Sequence, residues 1–230
     1  MSRWSVADVM TVGAVSVEPD TPFKEIVDVL EAHGINAVPV VDSCHRVIGV
    51  VSSADLVPKI EFAGEEDQHQ VFEGRQIRRA RSKASATAAG DLMTAPALTV
   101  LGQTSVVQAA KIMESAQLKR LPVVDDLGRL TGMVTRRDLL KVFLRGDGDI
   151  HREIVHELLP DLPGVTPRDV RVEVDDGVVT LLGELRQSSL VPAVIRQIER
   201  VDGVVDVVSY LTVEDAADNR ATAARWPVAG

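Results

Sequence analysis

Short aliphatic runs alternate with helical stripes along the first 145 residues, and the whole pattern is laid down twice. Ile26, Val27, Val29 and Leu30 recur at the spacing of an amphipathic helix. Thr21-Pro22 ahead of them predicts an N-cap and a proline at the first helical position, and Gly34 predicts the stop. Residues 37–41 and 47–51 are Val-rich runs separated by Asp42-Ser43-Cys44-His45-Arg46, which predicts two strands and a hairpin-like turn. A second helix is expected from near Ser53 towards Ile60, capped by Ser52 or Ser53. Everything in 8–56 returns without a gap in 91–139, at an offset of 83. The second copy therefore predicts a helix over 105–114, strands over 120–124 and 130–134, and a helix over 136–143. With Ser16-Val17 or Thr99-Val100 as a short leading strand, each unit reads β-α-β-β-α. Two copies are too few to stack as a solenoid. A closed pseudo-twofold pair is expected instead, each copy covering an apolar face its partner cannot cover alone.

The pattern lapses over 61–90, where Glu65-Glu66-Asp67 precedes Arg75, Arg78, Arg79, Arg81 and Lys83, and the second half reads as a basic helix. A linker helix that folds over a cleft or lends a cation to a bound phosphate is favoured over a nucleic-acid contact. No aromatic residue interleaves with the cations, and the sequence pI is about 5.1.

Beyond residue 147 the period changes. Ile150, Ile154, Val155, Leu158 and Leu159 form a helical stripe ended by Pro160 and Pro163-Gly164. Val170, Val172 and Val174 alternate with Arg171, Glu173 and Asp175, and Asp176-Gly177 turns the chain into 178–182, a β-hairpin. Ser188 or Ser189 opens a helix through Val194, Ile195 and Ile198, and Asp202-Gly203 leads to a last strand over 204–213. The order α-β-β-α-β predicts a small α+β sandwich with helices on one sheet face. The fold class is thus α/β and α+β, a tandem repeat pair followed by a small C-terminal domain. The predicted divisions are 1–60, a linker at 61–90, 91–145, 147–214 and a disordered tail at 215–230 in which Trp226 has no assigned place.

Composition narrows the choices. Hydrophobic residues at 45% and charged residues at 26% are globular values, and aromatics at 3% require an aliphatic core. The absence of any long apolar run and the single cysteine, Cys44, lead us to expect a cytoplasmic protein without disulfides. Of the net charge of −9, a local −8 lies in 147–214, where 14 acidic residues face 6 Arg and no Lys. No phosphate-binding glycine loop, dinucleotide fingerprint, nucleophile elbow or zinc-protease motif occurs, and His151 and His156 are poorly spaced to share a metal from one helix face. No catalytic activity and no required cofactor are expected.

Asp-x-Met-Thr at 8–11 and 91–94, an apolar residue before Pro-Val-Val-Asp at 38–42 and 121–125, and Gly-x-x-Ser/Thr-x-x-Asp-Leu at 49–56 and 132–139 resemble a tandem pair of cystathionine beta-synthase (CBS) domains over 6–144. The resemblance implies an adenosine nucleotide or adenosyl ligand (AMP, ADP, ATP or S-adenosylmethionine) held in clefts between the copies. It implies that Asp55 or Asp138 accepts from the ribose hydroxyls and that Ser52 or Thr135 offers a hydroxyl to ribose or phosphate. The backbone around Ala37-Val38 and Arg120-Leu121 would read adenine, with Val17 and Val100 sandwiching the ring. A capping arrangement accounts equally for Ser/Thr-x-x-Asp at a helix start. Lys119, Arg120, Arg136 and Arg137 stand where the first copy has Asn36, Ala37, Ser53 and Ala54, so the cleft of Thr135 and Asp138 is expected to be the stronger site. A homodimer is implied by the same resemblance.

Gly177-Val-Val-Thr-Leu-Leu-Gly183, Val201-Asp-Gly-Val-Val-Asp-Val207 and Leu211-Thr-Val213 resemble a BON domain over 147–214. That family implies phospholipid or polymer binding, but an acidic domain opposes attachment to an anionic membrane, and a protein partner is expected in its place. Three readings stand: an adenosyl-ligand sensor relaying occupancy to the C-terminal domain or a partner, an envelope or stress protein acting through that domain, and a nucleic-acid-associated regulator using 75–83.

Overall fold

The computed structural model describes residues 4–62 and 75–213, so the expected tail at 215–230, Trp226 and the acidic start of the linker lie outside the described residues. The chain forms two compact units, one spanning Ser5–Leu139 and one made of the chain from Leu140 onward together with its N-terminal residues.

In the first unit, α1 (Val6–Val9) and β1 (Thr11–Val12) precede α2 (Phe23–Ala32), β2 (Ala37–Val41), β3 (Val47–Ser52), α3 (Ser53–Leu56) and α4 (Pro58–Glu61). After α5 (Arg75–Ser85) come α6 (Ala89–Leu92), β4 (Val100–Leu101), α7 (Val106–Ser115), β5 (Arg120–Val124), β6 (Leu130–Thr135) and α8 (Arg136–Leu139). The second copy shows the expected β-α-β-β-α unit, whereas in the first the leading strand expected at Ser16-Val17 is reduced to a single bridge at Val17. The cap of α2 differs from the expectation: Pro22 is the N-cap, and Thr21 Oγ1 accepts from the Glu18 N–H instead. The Phe23 N–H that a side-chain cap would have served is satisfied by Thr87 O at 2.8 Å. In the second copy Ser105 does cap α7, accepting from Gln108 N at 3.2 Å. The helix expected over 53–60 is split at Pro58, which has no N–H to donate back.

Strand order shows how the copies interlock. β1 pairs antiparallel with β6 of the opposite copy, giving the order β1-β6-β5-β4. At the equivalent place Thr94 pairs with Val50 of β3, and Val17 runs parallel to Val40 of β2. Each copy's leading segment therefore completes the other copy's sheet. Two glycines of the repeated motif follow from this crossing. A Cβ on Gly132 would lie 2.5 Å from Thr11 O, and one on Gly49 would overlap the side chain of Met93, the counterpart of Met10. The turns meet as well: Val47 N donates to Gly128 O and Leu130 N to His45 O.

In the second unit, a 3-10 turn (Leu140–Leu144) leads into α9 (Asp147–Glu153). That helix continues as a π turn over Ile154–Leu158 and a 3-10 turn over Leu159–Asp161. Ile150, Ile154 and Leu159 are the buried positions, and the five-residue step between the last two is what the wider turn accommodates. β7 (Val170–Asp175) and β8 (Val178–Leu185) form the expected Asp176-Gly177 hairpin, α10 (Leu190–Ile198) crosses over, and β9 (Asp206–Val213) lies parallel to central β8. Asp147 holds the hairpin turn, accepting from Asp176 N at 3.0 Å and Gly177 N at 2.9 Å. Val179, Leu181, Val194 and Ile198 close an aliphatic core with the α9 residues. Among the described residues no helix is long and apolar enough to cross a membrane.

Candidate functional site

Val38 and Val40 pack in the first repeat's core, and at the start of the same strand Asn36 and Ala37 lie beside the end of β3. Register pairs Ala37 with Ser52, and the chain turns there into α3. Asp55, one turn in, directs Oδ2 back to the Ser52 N–H (2.8 Å) and the Ser52 hydroxyl (2.6 Å). The second copy repeats this, Asp138 Oδ2 accepting from Thr135 N at 2.9 Å and Thr135 Oγ1 at 2.7 Å. The capping arrangement is thus built in both copies, and in each it ties up one carboxylate oxygen while fixing the direction of the other.

A cleft of about 420 Å³ opens beside Asp55, a size suited to a small organic ligand. Asn36, Ala37, Ser52 and Asp55 form one wall. Thr94 and Leu98 also line the cleft, as do Lys119, Arg120 and Pro122 of the second copy. Of the sequence-predicted residues, the cleft brings together Ala37, Ser52, Asp55, Lys119 and Arg120. It does not include Thr135, Asp138, Arg136, Arg137 or Val100. Val38 and Leu121 are fully buried in their sheets, and Val17 and Val100 pack inside their own repeats.

The cations fall differently from the expected grouping of four around Thr135 and Asp138. Lys119 and Arg120, at the start of β5, line the Asp55 cleft. Arg136 is engaged within its own copy: Nε donates to Leu118 O at 2.9 Å, Nη2 to Met113 O at 3.3 Å, and Nη2 pairs with Glu114 at 3.3 Å. Arg120 is half-buried, and its guanidinium makes no ion pair or side-chain hydrogen bond with the described residues. Burial pushes it below the ordinary arginine range.

Lys83 is the functional-site residue that the sequence reading did not single out for Asp55. It projects from α5, is 9% exposed, and donates through Nζ to Asp55 Oδ1, with Thr94 Oγ1 at 3.5 Å. Position 83 lies outside the repeated stretches 8–56 and 91–139, so the repeat gave no signal for it. α5 is anchored there by Lys59, which donates to Ala84 O at 2.9 Å and Ala86 O at 2.8 Å and lies over the Phe23 ring, and by Arg81 over the Phe62 ring. Among the described residues no cluster of His, Cys, Asp and Glu suited to a metal ion is present.

Interlocked repeats with Ser/Thr-x-x-Asp at each strand-to-helix junction define the architecture of a CBS pair. The chain belongs to that family: the CBS-domain profile matches residues 6–61 and 89–145, and the BON-domain profile matches 147–215. It is 30% identical over 142 residues to the uncharacterized protein MK0525 of Methanopyrus kandleri, covering 62% of this chain and 64% of that protein. It is also 30% identical over 138 residues to the chloroplastic CBS domain-containing protein CBSX1 of Arabidopsis thaliana, covering 56% and 58%. The chain thus spans about six-tenths of the length of these two relatives. Among solved structures, the crystal structure of CBSX2 in complex with AMP superposes with a TM-score of 0.54 at 30% identity, covering 61% of this chain and 97% of that one. A match to the inosine-5'-monophosphate dehydrogenase of Aquifex aeolicus covers only 23% of the enzyme.

Proposed function

We propose that this protein is a sensor, without catalytic activity of its own, that binds an adenosine nucleotide or adenosyl ligand in the Asp55 cleft. It relays occupancy to the BON domain or to a partner. Arg120 carries this reading: a guanidinium half-removed from water, lining the same cleft as Ser52 and Asp55 and held in no ion pair among the described residues, is a disposition that a bound phosphate would relieve. Lys119 beside it adds a second cation. The CBSX2 complex with AMP supports the ligand class. The reading favours this cleft over the one at Thr135 and Asp138, because two of the four second-copy cations stand here and Arg136 is spent on backbone carbonyls. The nucleic-acid reading is weakened by Arg81 and Lys83, which turn onto Phe62 and Asp55. The acidic C-terminal domain favours a protein partner over an anionic membrane, and a homodimer and a reducing compartment remain part of the proposal.

Calorimetric titration of the full chain with AMP, ADP, ATP and S-adenosylmethionine tests the reading. In Arg120→Met, AMP affinity is expected to fall about tenfold, the scale of one charge-assisted phosphate contact, with S-adenosylmethionine little affected. Failure of all four compounds to bind at millimolar concentration, or equal AMP affinity in the variant, would rule it out.

A further inference from the structure

The acceptor capacity of Asp55 is nearly used up before any ligand arrives. A carboxylate offers about four lone-pair sites over two oxygens. Two on Oδ2 are taken by the Ser52 N–H and hydroxyl, and one on Oδ1 by Lys83. One site is left, whereas a ribose diol brings two donors.

We propose that Lys83 is a specificity-determining residue of the Asp55 cleft, restricting the carboxylate to one ribose hydroxyl so that the site tolerates a sugar lacking the other. The inference rests on the nucleotide-binding reading above and adds what that site demands of the sugar. Lys83 does not itself line the cleft but reaches Asp55 and Thr94, two residues that do, from behind them. Burial of both partners, with side chains 11% and 15% exposed, keeps water from replacing the ammonium cheaply. The lysine is also held in place by its helix. Lys59 ties Ala84 O of α5 and Ala86 O just beyond it to α4, the element that follows the Asp55 helix, so Lys83 cannot withdraw without moving α5.

The test compares AMP with 2'-deoxy-AMP and 3'-deoxy-AMP on the full chain, wild type and Lys83→Met, which keeps the aliphatic stem. In the wild type at most one deoxy analogue should bind more weakly than AMP. In Lys83→Met, with Oδ1 released, both analogues should bind about tenfold more weakly than AMP, the scale of one hydrogen bond to a charged acceptor. The wild-type arm needs no variant, so misfolding of Lys83→Met, checked by circular dichroism, leaves the proposal exposed to refutation. Wild-type losses on both analogues would overturn it, as would a folded Lys83→Met that keeps the wild-type pattern or no longer binds AMP. Those results leave the nucleotide site intact as a reading. Absence of AMP binding to the wild type would instead overturn both together.

Discussion

Asp42 and Asp125 occupy equivalent places and make equivalent bonds. Each Oδ1 accepts two backbone N–H groups, from Cys44 and Arg46 or from Leu127 and Arg129, and each Oδ2 takes the guanidinium Nε of the arginine four residues on. Both carboxyls are held below their ordinary value of 3.8, chiefly by the backbone N–H of Arg46 or Arg129, and Asp8 is lowered chiefly by the Ser5 hydroxyl. Groups with a depressed folded-state value bind protons more readily when unfolded, so their contribution is complete above 3.8 and is lost as pH falls through the lowered values. Urea unfolding followed from pH 6 down to about 2.5 should therefore show a decline below about 4 that is shallower in Asp42→Asn/Asp125→Asn. An unchanged slope would remove these turns from the account. The residues of this turn were legible in the sequence as a turn. Their charge chemistry was not, because it depends on two N–H groups converging on one oxygen.

At the scale of elements, the crossing of β1 and of Thr94 into the opposite copy is what constrains Gly49 and Gly132. In Gly132→Ala the new methyl meets the fixed carbonyl of Thr11, so a loss of about 3 kcal/mol is expected. In Gly49→Ala it meets the Met93 side chain, which can partly yield, and about 1 kcal/mol is expected. Equal losses in denaturant unfolding would mean that the two crossings are not packed as described. The helix and strand periods, the Asp176-Gly177 hairpin and the basic helix were all readable, since they depend on local spacing. The split at Pro58 follows from local chemistry. The Pro22 cap and the π turn at Ile154–Leu158 do not, because Thr87 and the placement of Leu159 in the core decide them.

For the whole molecule, a ligand that binds only the folded repeats stabilises them by mass action, by about 2.7 kcal/mol at a hundred times its dissociation constant. Hydrogen exchange with saturating AMP should show added protection centred on 36–37, 52–55 and 119–120. A relay would carry altered exchange into 147–213, and unchanged exchange there would confine the signal to the repeats. The sequence by itself determined that there are two homologous copies, which short elements each contains, that a different acidic domain follows, and which residue types could meet a nucleotide. Each of these is written in periodicity and spacing within a few dozen residues. Only the tertiary structure decided that Lys119 and Arg120 line the cleft of Asp55, and that Lys83 occupies Asp55. Those pairings join residues 28 to 65 positions apart, and the packing of one copy against the other, which no local pattern encodes, sets them.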